Sequence, residues 1–239
     1  MYKLSLAHIY PNLLNFYSDN GNVETLKKRC EWRNIDLSVT EIHVGDKISP
    51  DFDMYFLGGA LPALQSVAQK ELLTQQQSLL KASDKGAVIL AISEGFQLLG
   101  EYYQYKNQEK TNGLNLLDVF SIENNNKFIG NITAKCDFLS PKEIVGFENH
   151  SMETILKNNS DALFEVVSKE IKEKRFEGAR KNNVFGTYLH GPFLPKNPHF
   201  ADYLISLALE KKYSKKIDLI PLNDEIELNT YKRLVGKKY

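Results

Sequence analysis

The sequence predicts an α/β fold in which a mostly parallel sheet is flanked by helices and extended by additional antiparallel strands. Short, nearly unbroken apolar runs at Met54–Leu57, Ala87–Ile92 and Val184–Leu189 have the texture of strands covered on both faces. Stretches with apolar residues at helical spacing alternate with them, the order that a parallel sheet with helices on both sides requires. From Leu117 to about Ser168 the texture changes to shorter stretches separated by polar turns, which read as the antiparallel additions.

Taken in order, Lys3–Tyr10 and Ile35–Val44 read as strands joined by a helix over Asn22–Arg33, which the turn residues Ser18, Asp19, Asn20 and Gly21 open. Met54–Leu57 ends in Gly58-Gly59, and Pro62–Ser83 reads as one helix. Ala87–Ile92 is broken by Ser93-Glu94-Gly95, after which Phe96–Tyr103 resumes at helical spacing, so Ser93 stands at a strand-to-helix corner. The short strands Phe128–Ala134, Ile144–Phe147 and Leu163–Val167 follow. Val184–Leu189 delivers His190 to its end, Pro198–Lys212 is an amphipathic helix, and the tail after Pro221 reads as one more helix.

A chain of 239 residues, 42% apolar, is enough for a sizeable core, and without an internal repeat it reads as a single domain over residues 1–239. Thirty basic residues balance thirty acidic ones, so no net field draws the molecule to nucleic acid or to an anionic membrane. Met1–Tyr10 is too short and too polar for a signal peptide or a span, which predicts a cytoplasmic protein without membrane insertion. Cys30 and Cys136 lie far apart without metal-ligand spacing and are expected to be thiols. No cofactor and no metal site is read from the sequence.

A sharp turn between a buried strand and a helix lifts its central side chain out of the sheet, and free N–H groups beside it can stabilise an oxyanion. Ser93 has that placement. In open parallel sheets the active crevice lies beyond the carboxyl ends of the strands, and the ends after Tyr10, Leu57, Ile92 and Leu189 bring Asp19, Gly58, Gly59, Ser93 and His190 to that side.

Four separate segments, in order, then point to a family: Tyr17-Ser18-Asp19-Asn20-Gly21-Asn22, Phe96-Gln97-Leu98-Leu99-Gly100, Gly146-Phe147-Glu148-Asn149-His150 and Gly186-Thr187-Tyr188-Leu189-His190-Gly191-Pro192. From about Leu6 to Leu209 the chain resembles the GatD-like, cobyric acid synthase-type class I glutamine amidotransferases. The resemblance implies a glutaminase subunit that passes ammonia to a MurT-like partner, an ATP-dependent ligase of the Mur type that amidates lipid II. It also implies a nucleophilic cysteine at the position of Ser93, a base at His190 and an acid at Asp19.

The chain departs from that pattern around the chemistry. The family's Ile-Cys-Gly-Gly is Ile92-Ser93-Glu94-Gly95 here. A serine hydroxyl attacks an amide only with an aligned base and oxyanion hole, where a thiol starts with some thiolate. Glu94 places a carboxylate where negative charge develops, in space that glutamine would occupy. The family's third glycine is Ala60, in Gly58-Gly59-Ala60-Leu61, and the arginine that grips glutamine corresponds to Lys127, which lacks the bidentate fork. The family's Gly-Arg-Thr is Ser151-Met152-Glu153-Thr154, and its glycine- and asparagine-rich loop is the charged stretch 169–181, with six Lys and Arg and three Glu.

Each of these residues also has a plainer role. Ser93 tolerates a tight turn, Asp19 suits an N-cap, His150 suits a structural or interfacial position, and a mixed charge run suits a solvated face. The combined expectation is a GatD-like subunit that binds a MurT-like ligase and has lost or largely lost glutaminase activity. The alternative is a hydrolase in which Ser93 attacks, His190 is the base and Asp19 orients it. Gly58, Gly59, Glu94 and Lys127 complete the expected substrate and oxyanion region.

Overall fold

The computed structural model describes residues 1–167 and 175–236. The chain runs β1 (Tyr2–Ile9), α1 (Asn20–Glu31), β2 (Ile35–Ile42), β3 (Met54–Leu57), α2 (Pro62–Thr74), α3 (Gln76–Asp84), β4 (Val88–Ile92) and α4 (Glu94–Leu99). Next come β5 (Tyr102–Gln104), β6 (Thr111–Asn112), β7 (Val119–Lys135), β8 (Glu143–Leu156), β9 (Asp161–Val166), β10 (Arg175–Lys181) and β11 (Val184–Thr187). Three helices close it: α5 (Phe193–Lys196), α6 (Pro198–Tyr213) and α7 (Glu225–Gly236).

One 11-stranded sheet has the order β2-β1-β3-β4-β11-β10-β9-β7-β5-β6, with β8 on β7. The first five strands of that order are parallel, with Leu6 opposite Met54, Met54 opposite Val88 and Ile89 opposite Val184. β10, β9 and the β7–β8 ribbon add antiparallel pairs.

Alternation along the central strands sorts two cores. Leu4, Leu6, Phe56, Leu90 and Phe185 pack with Leu26 of α1 and with Phe200, Leu204 and Ala208 of α6. Ala7, Ile9, Tyr55, Leu57, Ile89 and Ala91 pack with Ala68 and Leu72 of α2, Leu79 of α3 and Phe96 of α4. Strands buried on both faces need apolar residues at every position, which is why these runs are unbroken.

Three expectations are corrected. The helix expected over Pro62–Ser83 is two helices, broken at Gln75 (φ −106°, ψ 4°). The helix expected over Phe96–Tyr103 begins at Glu94 and stops at Leu99. A Cβ on Gly100 would stand 2.8 Å from the Val119 carbonyl oxygen, so the chain passes close against β7 there, and Tyr102–Gln104 pairs with β7 as a strand. The short strands expected between Leu117 and Ser168 are mostly a single long ribbon, β7 on β8, with an irregularity between Glu123 and Phe128. Residues 169–174 of the charged stretch lie outside the described residues, and 175–181 form β10.

Among the described residues no helix is long and apolar enough to cross a membrane. Cys30 and Cys136 are free, buried thiols, and burial pushes both up to about 12.

Candidate active site

β4 ends at Ile92, and Ser93 takes φ 55°, ψ −115°, a strained backbone for an L-residue. Neighbouring structure holds it there. The Ser93 N–H donates to the Thr187 carbonyl at 2.8 Å, and the Gln97 N–H donates to the Ser93 carbonyl at 3.0 Å. A Cβ on Gly95 would stand 2.6 Å from the Gly58 oxygen and 2.8 Å from the Leu57 oxygen, so the elbow rests directly on the end of β3. The sequence-predicted corner is therefore present, with Ser93 buried at its tip.

Asp19 reaches the same place from the start of α1. It has the N-cap position but makes no side-chain capping bond; its Oδ2 instead accepts the Gly59 N–H at 2.6 Å. The capping role read from the sequence gives way to this long-range bond. Asp19 is fully buried, and burial pushes its carboxyl up to about 7, against the bond from Gly59 and with help from the Glu94 charge. Its Oδ1 has no partner.

Glu94 turns back over the loop after β3, and its Oε2 accepts the Ala60 N–H at 2.9 Å. Burial raises its pKa, while the bonds from Ala60 and from the Ser93 side chain act the other way. A Cβ on Gly59 would stand 3.1 Å from Glu94 Oε2, 3.2 Å from Asp19 Oδ2 and 3.2 Å from Ser93 Cβ. Three predicted site residues thus converge on one predicted glycine. Gly58 beside it allows close approach to the Leu14 carbonyl, 2.2 Å from where a Cβ would be.

His190 lies three residues beyond β11, where its N–H donates to the Phe147 carbonyl at 2.9 Å. Its ring is buried, and neither ring nitrogen has a hydrogen-bond partner, so it is bonded to neither Ser93 nor Asp19. Burial pushes the imidazole down to about 4, with the charges of His150 and Lys196 in the same direction. Lys127 is exposed at the irregular part of β7, one residue before Phe128.

Several neighbours besides His150 were not singled out from sequence. Tyr17 packs its ring on His190, centroids 4.9 Å apart, and Asn149 donates to the Tyr17 hydroxyl. His150 stacks on Tyr188 at 4.0 Å and on Phe128 at 5.1 Å, and its Nδ1 donates to the Met152 carbonyl at 2.9 Å. Glu148 accepts two bonds from Arg175, at 2.8 and 2.7 Å. Glu177, expected on a solvated face, is buried, accepting the Tyr188 N–H at 2.6 Å and the Thr187 hydroxyl at 2.7 Å. A cleft of about 320 Å³ opens beside Phe128, His150, Arg175, Glu177 and Tyr188. The motif strings around Tyr17, Asn149 and Tyr188 were the available signal; nothing in the charged run marked Glu177. Among the described residues no group of three or more His, Cys, Asp or Glu side chains is placed to hold a metal ion.

A parallel sheet with a strained elbow after β4, a histidine after β11 and a glycine pair after β3 defines a class I glutamine amidotransferase-like protein. The chain belongs to the CobB/CobQ-like glutamine amidotransferase domain family, which matches residues 5–198. It is 35% identical over 227 residues to the lipid II isoglutaminyl synthase (glutamine-hydrolyzing) subunit GatD of Streptococcus pneumoniae, covering 93% of this chain and 87% of that one. It is 36% identical over 213 residues to the GatD subunit of Staphylococcus aureus, covering 89% and 87%. A crystal structure of a glutamine amidotransferase shares the fold with a TM-score of 0.58 at 12% identity, over 84% of this chain and 98% of that one.

Proposed function

We propose that this chain is a cytoplasmic GatD-like subunit that pairs with a MurT-like, ATP-dependent ligase in the amidation of lipid II, and that it has lost glutaminase activity. The observation that carries the loss is the state of His190. A serine needs an aligned base to become a nucleophile, and His190 forms no hydrogen bond with Ser93. The exposed Lys127 adds to this, because an ammonium cannot form the bidentate grip on a carboxylate that an arginine gives. The partnership rests on the GatD relatives, which are named as subunits of a synthase.

The strained backbone of Ser93 favours a second reading, a hydrolase using Ser93, His190 and Asp19, because such strain is what presents a nucleophile. One assay separates the two. The purified protein, with and without its candidate ligase, is given L-glutamine, and ammonia and glutamate are measured against Ser93→Ala. Release equal to that blank is expected; release above it would establish the hydrolase. Co-elution of the two subunits on size exclusion tests the partnership, and repeated separation would refute it.

A further inference from the structure

We propose that the Glu94 carboxylate is the resident ligand of the Ala60 amide, and that it closes the elbow to amide substrates independently of the change from thiol to hydroxyl at Ser93. This rests on the reading of the elbow as a former amidotransferase site and adds a determinant to it.

Acyl chemistry at a strand-to-helix elbow needs backbone N–H groups aimed at the oxygen that becomes negative. The loop after β3 carries two N–H groups beside the elbow, and both donate to side-chain carboxyl oxygens. The Gly59 N–H donates to Asp19 Oδ2 at 2.6 Å and the Ala60 N–H donates to Glu94 Oε2 at 2.9 Å. An incoming amide carbonyl must therefore displace an oxygen already seated on either donor.

Position matters as much as bonding. Glu94 Oε2, Asp19 Oδ2 and Ser93 Cβ all stand 3.1 to 3.2 Å from the point where Gly59 would carry a Cβ. The Glu94 carboxylate therefore fills the gap between the elbow and the glycine loop, the gap an acyl carbon must enter to meet Ser93. Asp19 occupies the other side from α1, while His150 from β8, Tyr188 beyond β11 and Tyr105 are the further titratable groups around Glu94. Restoring a thiol at Ser93 leaves this occupant in place.

Alkylation reads access directly. Ser93→Cys provides a thiol reporter, and iodoacetamide is itself a small primary amide. Position 93 in Ser93→Cys is expected to react about tenfold more slowly than in Ser93→Cys with Glu94→Ala, about the factor that one buried hydrogen bond carries. Ser93→Cys with Glu94→Gln is expected to stay slow, because the glutamine carbonyl still accepts the Ala60 N–H. Peptide mass spectrometry separates position 93 from Cys30 and Cys136, both buried. Equal rates with glutamate and alanine at 94 would overturn the proposal, and so would a fast rate with glutamine, which would make charge rather than occupancy the barrier.

A measurement on the unsubstituted protein guards against misfolded variants. The Ala60 amide proton should resist exchange and move as Glu94 titrates; fast exchange or an immobile resonance would overturn the proposal. Ammonia release by the unsubstituted protein would refute the loss of glutaminase activity whatever the alkylation rates are.

Discussion

The ring of Tyr17 covers His190 at a centroid distance of 4.9 Å, tilted by 57°. Tyr17 and Ser18 both have positive φ, 56° and 61°, so two strained residues place that ring. Burial is the largest cause of the depressed His190 pKa, and Tyr17 supplies part of the cover.

Tyr17→Ala should therefore return His190 from about 4 toward the ordinary value of 6.5. An NMR titration of the His190 ring protons measures it. The sign for stability follows. A histidine whose folded pKa is lowered contributes stability that is present above the unfolded value and lost as pH falls from about 6.5 to about 4, so the substitution should also flatten that acid loss. An unchanged His190 titration would show that Tyr17 does not shield the ring.

Glu177 behaves in the opposite sense. Burial, with the Glu148 charge, pushes it from 4.5 up to about 8. The folded protein then holds a proton that the unfolded chain has released, so stability falls as pH rises from about 4.5 to about 8 and levels off above. Glu177→Gln keeps an acceptor for the Tyr188 N–H and removes the titration. Its denaturation midpoint should lose less than the parent's between about pH 5 and pH 8; parallel profiles would mean that Glu177 is solvated in the folded state.

The two kinds of residue also differ in how legible they were. The parallel half was readable because strands covered on both faces leave continuous apolar runs, and the elbow was readable because Ser93-Glu94-Gly95 interrupts one of them. Gln75 breaks a helix without a glycine or proline to announce it, so Pro62–Ser83 looked unbroken. β7 is partly exposed along much of its length, and Asn and Lys on its open positions made one long strand look like several. Within the site, the meeting of Asp19, Gly59 and Ser93 followed from topology, because parallel strand ends share one edge. The Glu94 bond to Ala60 and the Tyr17 cover on His190 depend on side-chain direction, which sequence spacing does not encode. Glu177 was hidden for a related reason: a charge in a charged run does not show that strands from elsewhere bury it.

Away from the site, the heaviest electrostatic demand falls on Arg29, whose side chain is 2% exposed. It bonds Asp202 at 2.6 and 2.7 Å and Asp224 at 2.6 and 2.9 Å, and Arg33 bonds the same Asp202 at 2.6 Å. The two aspartates are more exposed, at 25% and 18%, so the cost of breaking the network lies on the guanidinium side. Removing a partner leaves a buried charge uncompensated, a loss of about 3–5 kcal/mol where burial is complete. Asp202→Ala strips a partner from both arginines and should reach that range, whereas Asp224→Ala leaves Arg29 its bonds to Asp202 and should cost roughly half as much. Urea denaturation with a constant m-value measures both. Losses that are equal, or both below about 1 kcal/mol, would mean that water reaches the guanidinium groups and that the network holds the C-terminal segment only weakly.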